Sequence, residues 1–378
     1  MAKKPWFSRR EFLKLSGLSL GALALRPDLR AFERLGLWQT EFPQTERLGR
    51  VTVGIDEEPV RLRSGPSTEA TEIGRLPGDT VVEWHHEVVG YAPGYRNQRW
   101  VETPEGYVWA PFLQPVRNNL NTPLDSIPSF GDFPGMWMEV TVPYVEAQLA
   151  DPPPKSPFRI AFLVNNGYPI HFYYGQTFWV DGIRTGENGP EYHVRELYGS
   201  RGDEFWAAAE AFKPVYPEEI APISPEVENK EIVINIARQT LSCYEDGREV
   251  FFARVSTGGN PDWTEDENGI RDPEGRITPI TDNGQVHRKY ASLHMEGGRA
   301  GGGYDLSGIG WTTFIITGGI AIHSTYWHNN FGERTSAGCV NARPEDAKWI
   351  YRWTSPDVPY NPGIMEGVAG TRVRTVEA

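Results

Sequence analysis

Cysteine is scarce in this chain: only Cys243 and Cys339 among its 378 residues are cysteines. That number excludes a fold held together by several disulfides and a structural zinc site of four cysteines. A single disulfide would be compatible with an exported protein, but the surroundings of the two residues favour free thiols. Cys243 lies in a strand-like segment that runs into the turn Asp246-Gly247, with no histidine near it in sequence, so we expect a buried core residue.

Basic residues and long apolar runs are also few. Lysine and arginine number 37 against 50 aspartates and glutamates, and the net charge of −13 argues against nucleic acid as a partner. The apolar run at residues 15–25 is far shorter than the roughly 20 residues that a bilayer-spanning helix needs. The sequence therefore predicts no membrane span, and its length suits two or three domains.

The first 25 residues have the composition of a secretory signal. Five basic residues precede the apolar run, and Ala22-Leu23-Ala24 provides a small-residue cleavage site. Ser8–Lys14, which contains Arg9 and Arg10, resembles the twin-arginine export motif. We predict export by that route to the cell wall or periplasm, against the alternatives of an uncleaved anchor or a cytosolic amphipathic helix. Cleavage would remove five basic residues and one glutamate, so the net charge would fall from −13 to −17.

Turn residues and proline-rich stretches divide the remainder into segments. After the signal at 1–25, we predict a tether at 26–48, a small β-barrel at 49–118, a linker at 119–136, a β-rich region at 137–215, a linker at 216–227 and a last β-rich domain at 228–376. In the middle region we expect strands at 158–164 and 170–174. The acidic stretch 258–285 does not have the ligand spacing of a calcium loop, and we expect a solvated loop there.

The first barrel has a recognisable pattern. Val60–Ser67, Ile73–Gly78 and Gly106–Leu113 resemble the bacterial SH3-like domain in order and spacing. That resemblance implies a module that binds cell-wall peptides or acts as a spacer. Phe205–Val215, at the end of the middle region, echoes Trp109–Val116 of the barrel, so a second, degenerate SH3-like unit is an alternative to chance convergence.

The segment with the clearest chemistry runs from His323 to Cys339. His323 ends an apolar strand pattern, and Cys339 follows in a turn before a helix that we predict from Pro344 to Trp353. A cysteine attacks carbonyl groups as a thiolate, so it needs a nearby base and donors for the developing oxyanion. We therefore predict Cys339 as the nucleophile and His323 as its base.

Two neighbouring residues complete this prediction. Gly338 has no side chain, so the backbone can approach a substrate closely and its amide can serve an oxyanion hole. The Ser324 carbonyl can hold the His323 ring in one tautomer. The competing interpretations are a buried core pair and a zinc site formed with His328, but no fourth ligand follows at a suitable spacing.

The same residues resemble the L,D-transpeptidase catalytic domain over about residues 228–376. The resemblance rests on His323, the Ser336–Asn341 segment with Gly338-Cys339, and the residues that follow Pro344. Further landmarks at 255–259, Thr278-Pro279 and 287–295 occur in the expected order. The resemblance implies that this last domain is a β-sandwich with a short helix after the cysteine, within a chain that is mainly β. It also implies action on peptidoglycan stem peptides without cofactor or metal, with substrate contacts from Asn341, Tyr326 and Ser336.

Two departures from the family pattern affect the expected activity. Ala337 precedes Gly338-Cys339, where the family usually has histidine, and 278–284 lacks the usual early glycine after Thr-Pro. Loss of one such contact is expected to cost about a hundredfold in rate if the imidazole supports substrate binding. If that imidazole is essential, the chain is a wall-binding protein without activity. A hydrolytic L,D-carboxypeptidase and a papain-like peptidase are further alternatives, but in the papain-like order the cysteine precedes the histidine.

Overall fold

The structure is a computed structural model that describes residues 42–131, 133–157, 159–259, 277–297 and 304–377. The predicted signal, most of the tether and much of the acidic stretch lie outside these residues. The described chain is mainly β, as predicted, with two α-helices. None of its described helices is long and apolar enough to cross a membrane.

The first region consists of two small antiparallel sheets, which have the strand orders β4-β1-β8 and β3-β2-β7-β6-β5. A 3-10 turn at Ala110–Phe112 connects the last two strands. The apolar core of this first region includes Trp84, Val101 and Leu113. The strands are β1 Leu48–Val51, β2 Val60–Arg63, β3 Glu72–Leu76, β4 Val81–Glu83, β5 His86–Val89, β6 Arg99–Thr103, β7 Gly106–Trp109 and β8 Leu113–Val116.

The middle region is a single antiparallel sheet of seven strands in the order β11-β10-β14-β13-β12-β9-β15. It ends as the first region does, with a strand, a 3-10 turn at Ala209–Ala211 and a further strand. These elements lie in Phe205–Val215, the segment whose sequence is similar to Trp109–Val116. The elements are β9 Met136–Val140, β10 Tyr144–Leu149, α1 Arg159–Asn166, β11 Ile170–Tyr173, β12 Thr177–Gly186, β13 Gly189–Arg195, β14 Glu204–Ala208 and β15 Phe212–Pro214.

Helix α1 corrects one prediction, because its residues were expected to form a strand. Ile160 and Leu163 are the buried residues of this helix, and they lie three positions apart on one helical face. Asp305, from the last domain, accepts hydrogen bonds at its carboxylate from the Arg159 backbone amide at 2.9 Å and from the Ser156 hydroxyl at 3.1 Å. A carboxylate from a distant part of the chain thus satisfies the start of the helix, which the local pattern does not reveal.

The last domain has two five-stranded sheets, in the orders β18-β17-β16-β25-β19 and β23-β22-β21-β20-β24. Helix α2, Pro344–Trp353, forms where it was predicted and packs against β21 and β22. The strands are β16 Lys230–Asn235, β17 Thr240–Glu245, β18 Arg248–Arg254, β19 Thr281–Gln285, β20 Arg288–Gly297, β21 Tyr304–Ile316, β22 Ile320–Ser324, β23 Val340–Ala342, β24 Ile364–Glu366 and β25 Arg372–Val376.

Strand β19 corrects the end of the predicted loop at 258–285. Its residues pair with β25 at the edge of their sheet, and Thr281 is additionally held through its backbone amide by the Thr375 hydroxyl at 2.7 Å. Three of its five residues are exposed, so the polar composition that suggested a loop is that of an edge strand facing solvent.

The three regions share buried contacts. Trp137 and Trp179 of the middle region belong to the same apolar core as Ile322 and Val340 of the last domain. Between the first and last regions, a guanidinium nitrogen of Arg50, a fully enclosed side chain, donates to the Tyr326 carbonyl at 2.6 Å. The three regions therefore pack against one another through buried contacts.

Candidate functional site

Strands β22 and β23 place His323 and Cys339 on one face of their sheet. The two strands are parallel, with Ile322 opposite Val340 and His323 opposite Asn341. Ile322 and Val340 point into the core under α2, whereas Cys339 packs near Ala321 on the other face. Because side chains alternate along a strand, His323 lies on the same face as Ala321 and Cys339.

The turn before Cys339 is held by hydrogen bonds and close packing from two upstream segments, one at Thr257-Gly258 and one at Thr278. The Thr278 hydroxyl donates to the Gly338 carbonyl at 2.7 Å and accepts from the Gly258 amide at 2.8 Å. A Cβ on Gly258 would lie 2.4 Å from the Gly338 Cα, so only glycine fits there. The Ser336 amide donates to the Thr257 carbonyl at 3.2 Å. These contacts explain how the upstream landmarks shape the nucleophile turn.

Ser336 and Gly338 bond to each other within this turn. The Gly338 amide donates to the Ser336 hydroxyl oxygen at 3.1 Å, and that hydroxyl donates to the Cys339 carbonyl. The Gly338 amide, predicted to serve an oxyanion, is thus engaged by Ser336. Gly338 has a φ of +124°, a conformation that favours glycine. Ser336 is placed as a support for the turn.

The Cys339 thiol is half-buried and protonated in this environment. It donates to the Gly319 carbonyl at 3.6 Å. Burial raises the pKa of the thiol, and a hydrogen bond from the Ala321 backbone offsets part of that effect. Within the described part of the chain, no hydrogen bond joins this thiol to His323. The resting arrangement is therefore a neutral thiol rather than a thiolate paired with an imidazolium.

His323 is almost fully buried and is held in one tautomer. Its Nδ1 lies 2.9 Å from the Ser324 carbonyl oxygen, which can only accept, so Nδ1 carries the proton. The Nε2 atom is then the basic nitrogen of the ring. Burial lowers the pKa of His323 to about 4, partly offset by the Ser324 contact, so the ring is neutral near pH 7. A neutral imidazole with a defined basic nitrogen is the state that a proton acceptor requires.

His328 and Asn341 form a second buried pair. The Asn330 amide donates to His328 Nδ1 at 3.0 Å, and the Asn341 side-chain amide lies 2.8 Å from His328 Nε2. Burial, with His323 nearby, lowers the pKa of His328 to about 3, so its neutral ring has one donor. That donor is Nε2, and the Asn341 amide oxygen must face it. With both ring nitrogens engaged, His328 is poorly placed to bind zinc.

The remaining predicted site residues lie away from the thiol. Tyr326 is buried and stacks on Tyr173 with ring centroids 5.6 Å apart, at the contact with the middle region. Asn341 is turned toward His328, and neither residue lines the pocket that opens beside Cys339. Ala337, by contrast, is exposed within the turn, between Ser336 and Gly338.

A pocket of about 310 Å³ opens beside Cys339. Its walls include Phe314 and Gly319 of the β21–β22 hairpin, together with Tyr304 and His294. Burial raises the pKa of Tyr304, and the neighbouring Cys339 adds to the effect. The pocket gives a substrate carbonyl a route to the sulfur between an aromatic wall and a charged one.

His294 lies within the landmark 287–295 but received no role from the sequence, and the structure shows it to be a charged group of this wall. Its Nδ1 lies 2.8 Å from Glu196 Oε2 and its Nε2 lies 2.8 Å from Asp305 Oδ1, with all three side chains buried. Although burial disfavours the cation, the two carboxylates dominate and raise the pKa of His294 to about 10. This imidazolium cannot act as a base at neutral pH. Its partners come from residues 196 and 305, so no local pattern showed that this ring is charged.

Comparison with known proteins identifies the class of the last domain. Residues 229–374 match the family model described as YkuD, the L,D-transpeptidase catalytic domain. The predicted resemblance is therefore confirmed for these residues, whereas the SH3-like unit and the export signal remain predictions. The family match covers the C-terminal part of the chain and does not extend to the first and middle regions. No curated protein matches the chain in sequence.

Solved L,D-transpeptidase structures are similar to parts of the chain. The enzyme from Mycobacterium smegmatis is 18% identical, with 52% of this chain and 81% of that one covered and a TM-score of 0.30. The enzyme from Xylanimonas cellulosilytica is 18% identical, covering 45% and 73%, with a TM-score of 0.27. That from Mycobacterium tuberculosis is 20% identical, covering 52% and 76%, with a TM-score of 0.27. At such scores the identification of the domain rests on the family match.

Proposed function

We propose that this protein is a peptidoglycan L,D-transpeptidase that uses Cys339 as its nucleophile. The observation that carries the proposal is the pairing of a half-buried thiol and a tautomer-fixed, neutral histidine on one sheet face, inside a domain that matches this family. The family acts on the peptide stems of peptidoglycan, and the pocket beside Cys339 is open to a peptide carbonyl.

The first half-reaction forms a thioester on Cys339. The thiol leaves the Gly319 carbonyl, approaches His323 and gives its proton to Nε2, because proton transfer requires hydrogen-bond reach. The thiolate then attacks the carbonyl carbon of the third residue of a donor tetrapeptide. As the amide bond breaks, the imidazolium returns the proton to the amine of the terminal D-alanine, which leaves.

The second half-reaction depends on the acceptor. An amine on the third residue of another stem attacks the thioester, loses a proton to His323 and leaves an amide cross-link, while Cys339 is released as the thiol. Attack by water gives a carboxylic acid and the L,D-carboxypeptidase outcome. The raised pKa of Cys339 and the lowered pKa of His323 both disfavour a resting ion pair, so substrate binding must drive thiolate formation.

Export by the twin-arginine route belongs to the same proposal, because peptidoglycan lies outside the cytoplasm. The support is the sequence of residues 8–24. Conversion of Arg9 and Arg10 to lysine, followed by cell fractionation, should retain the protein in the cytoplasm. Unchanged export of this double variant would exclude the twin-arginine route.

The test of the catalytic proposal is acylation by imipenem, whose strained lactam carbonyl traps a reactive thiol. Intact-protein mass spectrometry should show one covalent adduct on the wild-type protein and none on Cys339→Ala. Cys243→Ala is the matched control, because Cys243 is fully buried and its thiol pKa is raised well above the usual range by burial, so this variant should keep the adduct.

Incubation with a disaccharide tetrapeptide then separates the reactions. Release of D-alanine with a dimeric product supports transpeptidation, and release with a free tripeptide supports the carboxypeptidase alternative. If folded protein forms neither adduct nor product, the proposal fails. Stem binding without turnover would then favour the wall-binding alternative suggested by Ala337.

A further inference from the structure

A second pocket, of about 350 Å³, lies where the three regions of the chain meet. Arg47 and Arg99 line it from the first region, Tyr174 from the middle region, and Asn329 and Arg343 from the last domain. It shares no lining residue with the Cys339 pocket. Its volume is at the lower end of the range for small-molecule sites, which suits a ligand the size of a short peptide.

Positive charge predominates in this junction pocket. Three guanidinium groups, those of Arg47, Arg99 and Arg343, meet the carboxylates of Glu87 and Glu345. The ion pairs are long: Arg99 Nη1 lies 3.5 Å from Glu87 Oε1, and Arg343 Nη1 lies 4.0 Å from Asp346 Oδ2.

Arg99 shows the electrostatic consequence. Burial lowers the pKa of Arg99, and repulsion from Arg343 and Arg254 lowers it further, although Glu87 opposes the shift. Guanidinium groups that share a partly buried site repel one another, so a bound anion would stabilise them. A planar carboxylate matches the fork of a guanidinium group, and the mixed lining suits one negative charge better than the two of a phosphate.

Two polar atoms of the lining residues have no hydrogen-bond partner among the described residues. They are the Asn329 side-chain oxygen and the Thr325 hydroxyl, on residues that are 1% and 2% exposed. Leaving such a group unpaired costs about 1–3 kcal/mol, so their occurrence together beside a charged pocket calls for a ligand or water to satisfy them.

We propose that the junction pocket binds a zwitterionic amino acid or short peptide. The carboxylate lies against Arg343 and Arg99, and the ammonium group lies against Glu345. The inference goes beyond the chemistry at Cys339 and does not depend on it, because the site has its own residues and its own test.

The experiment is a titration of the full chain with alanylalanine, in its L,L and D,D forms, followed by saturation-transfer NMR. Three further probes remove one feature each: the C-terminal amide lacks the carboxylate, the N-acetyl form lacks the ammonium group, and free alanine lacks the peptide bond. We expect at least one dipeptide to bind and its amide to bind about tenfold more weakly, as loss of one charge-assisted contact predicts.

Arg343→Gln identifies the site. Its guanidinium contacts are the distant Asp346 and the Phe331 ring, whose centroid is 5.1 Å away, so the variant should fold normally. It should bind the dipeptide about tenfold more weakly and no longer distinguish it from the amide. Arg47→Gln, whose guanidinium packs over the Trp84 ring, should weaken binding in the same direction. The matched control is Arg334→Gln, whose residue pairs with Glu377 outside the pocket and should bind as wild type does.

Three results would overturn the inference: no dipeptide saturation below about 10 mM, equal binding of dipeptide and amide, or wild-type binding by both pocket variants. Equal affinity for free alanine would identify an amino acid as the ligand, and tighter dipeptide binding would identify a peptide end. An imipenem adduct without dipeptide binding would refute this inference alone. Dipeptide binding without an adduct would refute only the proposed function.

Discussion

Replacement of Gly258 by alanine should disable the site from a position that touches no substrate. The new Cβ would meet the Gly338 Cα at 2.4 Å and the Gly338 nitrogen at 2.5 Å. Ordinary contact begins near 3.4 Å, so the two segments must separate by about 1 Å. The atoms in the way are backbone, which cannot rotate aside, and Gly338 is bonded directly to Cys339.

The size of the effect follows from that displacement. A shift of about 1 Å at a reacting group costs on the order of a hundredfold in rate, and overpacking of a tight site costs about 1–3 kcal/mol in stability. The Thr278 hydroxyl, which bridges both glycines, would lose at least one of its bonds. We therefore expect imipenem acylation to slow by about a hundredfold and the unfolding temperature to fall by a few degrees.

The assay combines the acylation rate with alkylation of Cys339 by iodoacetamide, read by peptide mass spectrometry, so that thiol access is measured separately. Gly65→Ala is the matched control, since its new Cβ would meet only the Ala70 Cβ at 3.7 Å. A Gly258→Ala protein that acylates and unfolds as wild type does would refute the argument that this close approach shapes the nucleophile turn.

Three further predictions concern single groups of the site. Thr278→Val should lose the hydrogen bonds to Gly258 and Gly338, which should lower the free energy of unfolding by about 1–3 kcal/mol and slow acylation. Denaturant unfolding identical to that of the wild type would contradict this. Because burial holds the pKa of His323 near 4, the acylation rate between pH 5.5 and 8 should show no step near 6.5; a step there would mean that the ring titrates normally. The folded pKa of His294 is raised to about 10, so its stabilisation is complete below about pH 6.5 and is lost as pH rises toward 10. The unfolding-temperature gap between wild type and His294→Gln should therefore narrow from pH 6 to pH 10, and a constant gap would count against the ion triad.

The stretch from His323 to Cys339 could be interpreted from sequence because its chemistry is local. The strand pattern, the Gly338-Cys339 pair and the helix after Pro344 lie within about thirty residues. The family resemblance added the upstream landmarks in their order. The mainly β character also followed from the alternating apolar pattern, while the segment at 159–166 was misjudged because a carboxylate from Asp305 satisfies the start of its helix.

Sequence by itself determined the mainly β class, the nucleophile and base candidates, and the family of the last domain. Only the tertiary structure decided what surrounds them. It engaged the Gly338 amide with Ser336, turned Asn341 toward His328, and placed an imidazolium at His294 in the wall beside the thiol. The physical reason is that burial and hydrogen bonding set each group's charge and direction, and both depend on how the turn closes and on partners from other segments of the folded chain.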